Sequence, residues 1–205
     1  MTEQATTLDI PQEDWQRADL YDFLAALLAR PPAQDMLDQT AGLTGDDSPM
    51  GTAIGALARV AAQTKPAVAE REFNALFIGV GRGELLPYAS FYLTGFLNEK
   101  PLATLRRDMG ALHVTRAPNV FEPEDNIASL MEIMAGMIAG RFGAPVPLDR
   151  QVTFFNRHIA PWAGHFFADL KAANNGVFYA GVGAIGELFM EIERDAFHLS
   201  AGQPA

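Results

Sequence analysis

Apolar residues recur along this chain at three- and four-residue intervals, and proline and glycine cut the runs into helix-length pieces. The first predicted helix runs from Glu13 to Ala29, with Trp15, Leu20, Phe23, Leu24, Leu27 and Leu28 on its buried side. It ends at Arg30-Pro31-Pro32, because the residue before a proline resists helical angles. Ala33 to Pro49 holds a short helical piece and then Gly42, Gly45, Asp46, Asp47 and Ser48, which read as a surface connection and a hinge. Ile54, Leu57, Ala58 and Ala61 mark the next helix, and Pro66 suits the first turn of another carrying Val68, Phe73, Leu76 and Phe77. Pro101 opens a helix through Leu102, Leu105 and Met109. Asp149 to Ala173 reads as helix interrupted at Pro161, and a last helix carries Val182, Ile185, Leu188, Phe189, Ile192 and Phe197. No window shows sustained period-two alternation, and no repeat of about 20–50 residues is present. The pattern predicts an all-α fold of about eight to ten helices, a single compact domain over residues 12–198. Flexible tails are expected at 1–11 and 199–205, and 33–49 is the candidate hinge loop.

The most regular helix begins after the acidic turn Phe121-Glu122-Pro123-Glu124-Asp125-Asn126. Pro123 biases Glu122 towards extended angles, and Glu124 and Asp125 are expected in the first helical turn, where the helix dipole favours negative charge. Ile127, Met131, Met134 and Ile138 then form an apolar stripe that reaches to about Phe142. Two readings stay open here: a well-made helix start, or a carboxylate-rich binding corner.

Composition narrows the function. The 205 residues are 49% hydrophobic and include no cysteine, which excludes disulfides and thiolate metal sites and permits a reducing compartment. The polar N-terminus lacks a signal-peptide pattern, and no apolar run approaches ~20 residues, so a cytoplasmic protein without membrane insertion is expected. A formal charge of −10 argues against a nucleic-acid partner and suits a basic peptide or protein.

Catalytic and cofactor chemistry finds little support. Gly79-Val80-Gly81-Arg82-Gly83-Glu84 lacks both the dinucleotide-binding spacing and the Gly-Lys-Ser/Thr ending of a P-loop, and Glu84 would repel phosphate. It reads as an interhelical loop with positive-φ glycines. The four histidines, His113, His158, His165 and His198, form no His-x-x-x-His or Glu-x-x-His pair, so no metal is expected. Ser90, Ser129 and Ser200 lie in no nucleophile elbow. The chain is expected to be no enzyme and to hold no cofactor. Binding fits better: aromatic residues beside glycines at Gly79–Tyr92, the acidic corner Glu122–Asp125, and a helix with Met131, Met134 and Met137, a residue that most often is simply core but also adapts to varied apolar partners.

At these residues the chain resembles the TorD/DmsD/NarJ superfamily of molybdoenzyme maturation chaperones, its TorD-like branch most closely. The resemblance rests on Tyr21-x-x-Leu24-Ala25-x-Leu27-Leu28 with Arg30-Pro31-Pro32, and on Glu72-Phe73-Asn74-x-Leu76-Phe77 leading to Pro87-Tyr88-x-Ser90-x-Tyr92-Leu93. It continues through Pro101-Leu102-x-x-Leu105-Arg106 to Glu122-Pro123-Glu124-Asp125-Asn126, then Phe154-Phe155-x-x-His158-Ile159-x-Pro161-Trp162 and Phe178-Tyr179. The order spans residues of about 20–195, nearly the whole chain. The family pattern is Glu-Pro-x-Asp-His; here Asn126 stands at the histidine position, which keeps hydrogen bonding and loses the chargeable ring.

The resemblance implies an all-helical cytoplasmic chaperone of the TorD type. It would bind the catalytic subunit of a molybdenum-cofactor oxidoreductase or its twin-arginine leader, assist cofactor insertion and prevent premature export. Glu122 and Asp125 would pair with client arginines and Asn126 would bond the client backbone. Tyr88, Tyr92 and Phe121 would contact apolar residues, Pro87 and Pro123 would shape the walls, and Ser90 belongs to the same peptide-binding set. A helical enzyme with weak nucleotide hydrolysis at Gly79–Glu84 and a stable scaffold subunit of an oxidoreductase remain as alternatives. The client stays open between formate dehydrogenase, a dimethyl sulfoxide-type reductase and other molybdoenzymes. So does the choice between monomer and a homodimer exchanging helices through Ala33–Pro49.

Overall fold

Proline sets the helix boundaries much as the sequence predicts. In a computed structural model describing residues 10–79, 81–116, 118 and 120–201, the elements are ten α-helices and one π-helical turn. These are α1 (Gln12–Ala29), α2 (Gln34–Ala41), α3 (Pro49–Ala61), α4 (Pro66–Phe73), the π-turn Asn74–Ile78 and α5 (Ala89–Thr94). They continue with α6 (Lys100–Ala111), α7 (Ile127–Ala139), α8 (Leu148–His158), α9 (Ala163–Ala172) and α10 (Val177–Ala201). Arg30 is extended at the end of α1, Pro49 and Pro66 sit in the first turns of α3 and α4, and Pro161 falls between α8 and α9. Among the described residues, the β-type pairing recorded is a single antiparallel bridge between Tyr88 and Asn126. The fold is all-α.

The core forms around α7. α1 packs along it, α8 packs against it, and α10 lies against α9 and α3. Ile127, Met131, Met134 and Ile138 are buried as their spacing predicts, but so are Leu130, Ile133, Ala135 and Met137. Of the two readings of the α7 methionines, core and adaptable surface, the structure gives the core: α7 is covered on several sides rather than along one stripe. Trp162, Tyr21, Tyr179, Phe155, Phe166, Phe167 and Phe178 are closed to solvent and supply much of the bulk of the core, each worth ~1.5–3 kcal/mol of burial.

Three expectations from periodicity need correction. Trp15 is 45% exposed, because the apolar stripe of α1 is covered only from Ala18 onwards, one turn further along. Ile192 is half exposed, and Glu193 takes its place inside. The buried line of α10 runs Ile185, Phe189, Glu193, Phe197 at four-residue steps, and Ile192 falls just off it. The helix also continues to Ala201, past the tail expected from residue 199; residues 1–9 and 202–205 of the predicted tails lie outside the described residues. In the 33–49 segment, α2 is docked by Leu37 and Thr40, and the remaining Gly42–Ser48 loop ends where Ser48 Oγ accepts the Gly51 N–H and caps α3.

Burying Glu193 requires partners. Arg17 on α1 donates from Nε to Oε1 at 2.7 Å and from Nη2 to Oε2 at 2.9 Å, and Tyr21 Oη donates to Oε2 at 2.9 Å. This network ties α1 to α10. Removing the cation would strand a buried carboxylate, which costs far more than removing an exposed pair. Arg17→Leu is expected to lower unfolding stability by about 3 kcal/mol, and Arg17→Leu/Glu193→Leu to recover part of the loss, in urea titrations.

A second tie joins α6 to α8: Asp108 Oδ2 lies 2.8 Å from His158 Nε2 and 3.0 Å from Arg157 Nη1. Burial lowers the His158 pKa, and the Asp108 carboxylate offsets this only in part. Below about 6.5 the unfolded chain therefore binds a proton that the folded chain resists, so this residue's contribution to stability falls as pH drops through that window. The slope of unfolding free energy against pH just below 6.5 is expected to be shallower in His158→Gln than in the wild type.

Candidate peptide-binding site

The acidic turn is built as a junction between two helix starts. Pro123 O accepts the Asn126 N–H at 3.1 Å, closing a turn that leaves Asn126 extended at φ −63°, ψ 141°. Asn126 Oδ1 then accepts the Ala128 N–H at 2.9 Å, so Asn126 is the N-cap and α7 starts at Ile127. Glu124 and Asp125 consequently precede the helix instead of occupying its first turn. The turn is also stitched to the segment before α5: Ala89 N donates to Asp125 O at 2.9 Å and Ile127 N to Pro87 O at 2.8 Å. Asp125 Oδ2 accepts the Ser90 N–H at 2.8 Å, satisfying an amide in the first turn of α5.

This geometry divides the predicted site residues. Asp125 is 1% exposed and Ser90 fully buried, and Asp125 Oδ1 and Ser90 Oγ have no protein partner within hydrogen-bond reach. A side chain so enclosed holds the corner together and is closed to solvent. Tyr92 turns away: its ring packs on Trp162 and Phe166, and its hydroxyl donates to Asp169 at 2.9 Å. Burial and the Asp169 carboxylate raise its pKa. Pro87, Tyr88, Glu122 and Asn126, in contrast, line one cavity of about 670 Å³ between α1, the π-turn and the start of α7. Phe121 projects beside its rim, 87% exposed, and Pro123 is half-buried behind Glu122.

An apolar part of the lining is supplied by Ala25, Ala26 and Ala29 of α1 together with Phe77 and Ile78. Sequence periodicity missed why Phe77 and Ile78 reach this lining. The π-turn, closed by the Gly79 N–H to Asn74 O at 2.6 Å, adds a residue to the last turn of α4 and re-aims those side chains. It also frees Ala75 O and Leu76 O to accept the Glu84 and Leu85 amides. Gly79 and Gly81 adopt positive φ, as expected of this loop, and Gly83 lies so close to Leu76 O that a Cβ would sit 2.5 Å from it. Glu84 accepts the Asn174 N–H at 2.8 Å and the Asn175 amide at 2.6 Å, which hold its carboxyl below its ordinary pKa. The glycine-rich segment is thus committed to packing against the helices it joins.

Charge is graded across the cavity. Tyr88 Oη donates to Glu122 Oε1; burial first, then that carboxylate, push the tyrosine pKa up, so the hydroxyl stays a donor. Glu124 lines a smaller cavity of about 210 Å³, which Glu122 also borders, and is bonded by Arg106 Nε at 2.9 Å with Arg116 Nε at 3.9 Å. Burial alone would raise the Glu124 pKa, but these two arginines hold it below the ordinary range. Glu122 has no ion-pair partner among the described residues, so its charge is open to a cation from outside. Among the described residues no group of three or more acidic or histidine side chains is placed to hold a metal ion.

A family model described as the nitrate reductase delta subunit matches residues 43–168, more than half of the chain. The chain belongs to that family, within the TorD/NarJ superfamily that its motifs resemble. The chaperone protein TorD of Aliivibrio salmonicida is 26% identical over 202 residues, covering 87% of this chain and 93% of the relative. The chaperone protein TorD of Vibrio cholerae serotype O1 (El Tor Inaba) is 33% identical over 102 residues, 46% of each chain. A crystal structure described as a redox enzyme maturation protein, from Archaeoglobus fulgidus, superposes with a TM-score of 0.57 at 17% identity and covers 92% of this chain and 99% of its own. This family member shares that fold.

Because Asn126 works as a cap, its loss is expected to read first as stability. Asn126→Ala should lower unfolding free energy by about 1 kcal/mol and Asn126→Ser by a few tenths, measured by thermal or urea unfolding.

Proposed function

We propose that the protein is a non-catalytic maturation chaperone for a molybdenum-cofactor oxidoreductase, working in the cytoplasm. It binds the client's twin-arginine leader, or another segment with a basic stretch beside an apolar one, until the cofactor is inserted, and then releases it. The observation that carries this reading is the composition of the larger cavity: alanine, phenylalanine and isoleucine side chains share its lining with Tyr88 and with Glu122, whose carboxylate has no ion-pair partner among the described residues. Its volume of about 670 Å³ falls within the range of small-ligand and side-chain sites. The chaperone names of the relatives, and an overall charge of −10 that speeds encounter with a cationic segment, support it further.

In this reading Glu122 meets a client arginine, with Tyr88 fixing its carboxylate, and Ile78, Phe77 and Phe121 meet the apolar part. Pro87 and Pro123 shape the walls. Asp125 and Ser90 hold the corner from inside, and Asn126 sets the start of α7. Among the described residues no helix is long and apolar enough to cross a membrane.

The test is titration calorimetry with a synthetic twin-arginine leader at two salt concentrations. Glu122→Gln is expected to weaken binding several-fold, about 1 kcal/mol, and to flatten its salt dependence, because a rim charge acts through screened attraction. An unaltered affinity and salt slope in this variant would remove Glu122 from the contact.

A further inference from the structure

The larger cavity already contains a guanidinium of its own. Arg141 follows α7 between two positive-φ glycines, Gly140 (72°) and Gly143 (121°), and lines both cavities. Its Nη1 donates to Asp22 Oδ1 on α1 at 2.8 Å and its Nη2 to Asp22 Oδ2, the two-pronged geometry that carboxylates offer arginine. Glu132 is the one charged residue within α7 and faces the same two cavities. It has no ion-pair partner within 4.0 Å among the described residues. The hydrogen bond to Asp22 leads in raising the Arg141 pKa, and Glu132 and Asp19 add to it, so these three carboxylates are the charges that face the guanidinium.

We propose that Asp22 and Glu132 form a guanidinium site that Arg141 fills in the free protein and that an arginine of a bound basic peptide takes over. This rests on the reading that the cavity receives a basic segment. It assigns that segment a second arginine contact, in the same cavity as Glu122. The exchange replaces one guanidinium by another of the same chemistry, and the pair it opens is weak: the Arg141 and Asp22 side chains are 46% and 33% exposed, where screening and side-chain entropy leave little net attraction. The Arg141 N–H donates to Gly136 O at 2.9 Å and fixes its backbone at the end of α7, so the exchange needs only the partly exposed side chain to swing away. Self-occupancy lowers apparent affinity by the fraction of molecules in which the site is already filled. It also sets a threshold, since only a ligand carrying a guanidinium competes on equal terms.

The test uses arginylarginine amide as the probe, titrated into the full chain and followed by amide chemical shifts. Arg141→Ala is expected to bind it about threefold more tightly than the wild type, and Asp22→Asn/Arg141→Ala to lose that gain. Arg141→Gln, which keeps a polar side chain at the helix end, should show the same gain and stands in if the alanine variant does not fold. A dipeptide affinity no higher in either Arg141 variant, or a gain that survives Asp22→Asn, would overturn the proposal. A leader peptide tested alongside separates the two readings. Leader binding that ignores Arg141 sinks the exchange alone, whereas a dipeptide gain with no leader binding sinks the leader reading and leaves the guanidinium site.

Discussion

Asp125 and Asn126 each satisfy the amides of a different helix, and the site depends on that pairing. Asn126 caps the helix it begins, α7, while Asp125 reaches across the chain to an amide in the first turn of α5. Two backbone hydrogen bonds, Ala89 to Asp125 and Ile127 to Pro87, lock the segments side by side. Unpaired amides at a buried helix start are costly. The junction therefore stabilises the fold and fixes Tyr88 and Glu122 at the cavity rim in one step. Rigidity of this kind is what a recognition surface needs, because groups already in place lose less entropy on binding.

The same constraint explains why adjacent carboxylates have different tasks. Glu122, Glu124 and Asp125 lie within four residues, yet one is exposed and bonded only by a tyrosine, one is held by arginines, and one is enclosed. Pro123 and the turn that follows give them three different surroundings. Charge on this stretch is thus partly structural and partly available, and only the available part bears on a client.

The helices were legible because proline, glycine and three-to-four spacing act locally, and Pro49, Pro66, Pro101 and Pro161 mark boundaries in the sequence itself. The acidic turn was legible as a helix start, although the cap preference of Asn126 placed that start two residues later than the acidic pair suggested. What stayed hidden was everything set by partners distant in sequence. Glu193 is inside because Arg17 and Tyr21 come from α1, and no periodicity reveals that a polar residue will be preferred to Ile192. The methionines of α7 could be read as core or as surface because their burial comes from α1 and α8. The π-turn leaves no spacing signature, yet it builds the apolar wall. Arg141 and Asp22 are 119 residues apart, beyond any local pattern.

Family membership supplies the kind of partner, and the cavity supplies the place where it would sit. The two are joined by chemistry: an acidic protein, an apolar wall and an exposed carboxylate suit a segment that is basic at one end and greasy at the other. The most direct test is site-specific photo-crosslinking of a twin-arginine leader, with the crosslinker placed in turn at Ile78, Phe121, Trp15 and Ile192, all exposed apolar positions. Capture from Ile78 and Phe121, and not from Trp15 or Ile192, is the predicted outcome; capture from Trp15 or Ile192 alone would place the client elsewhere and contradict the account.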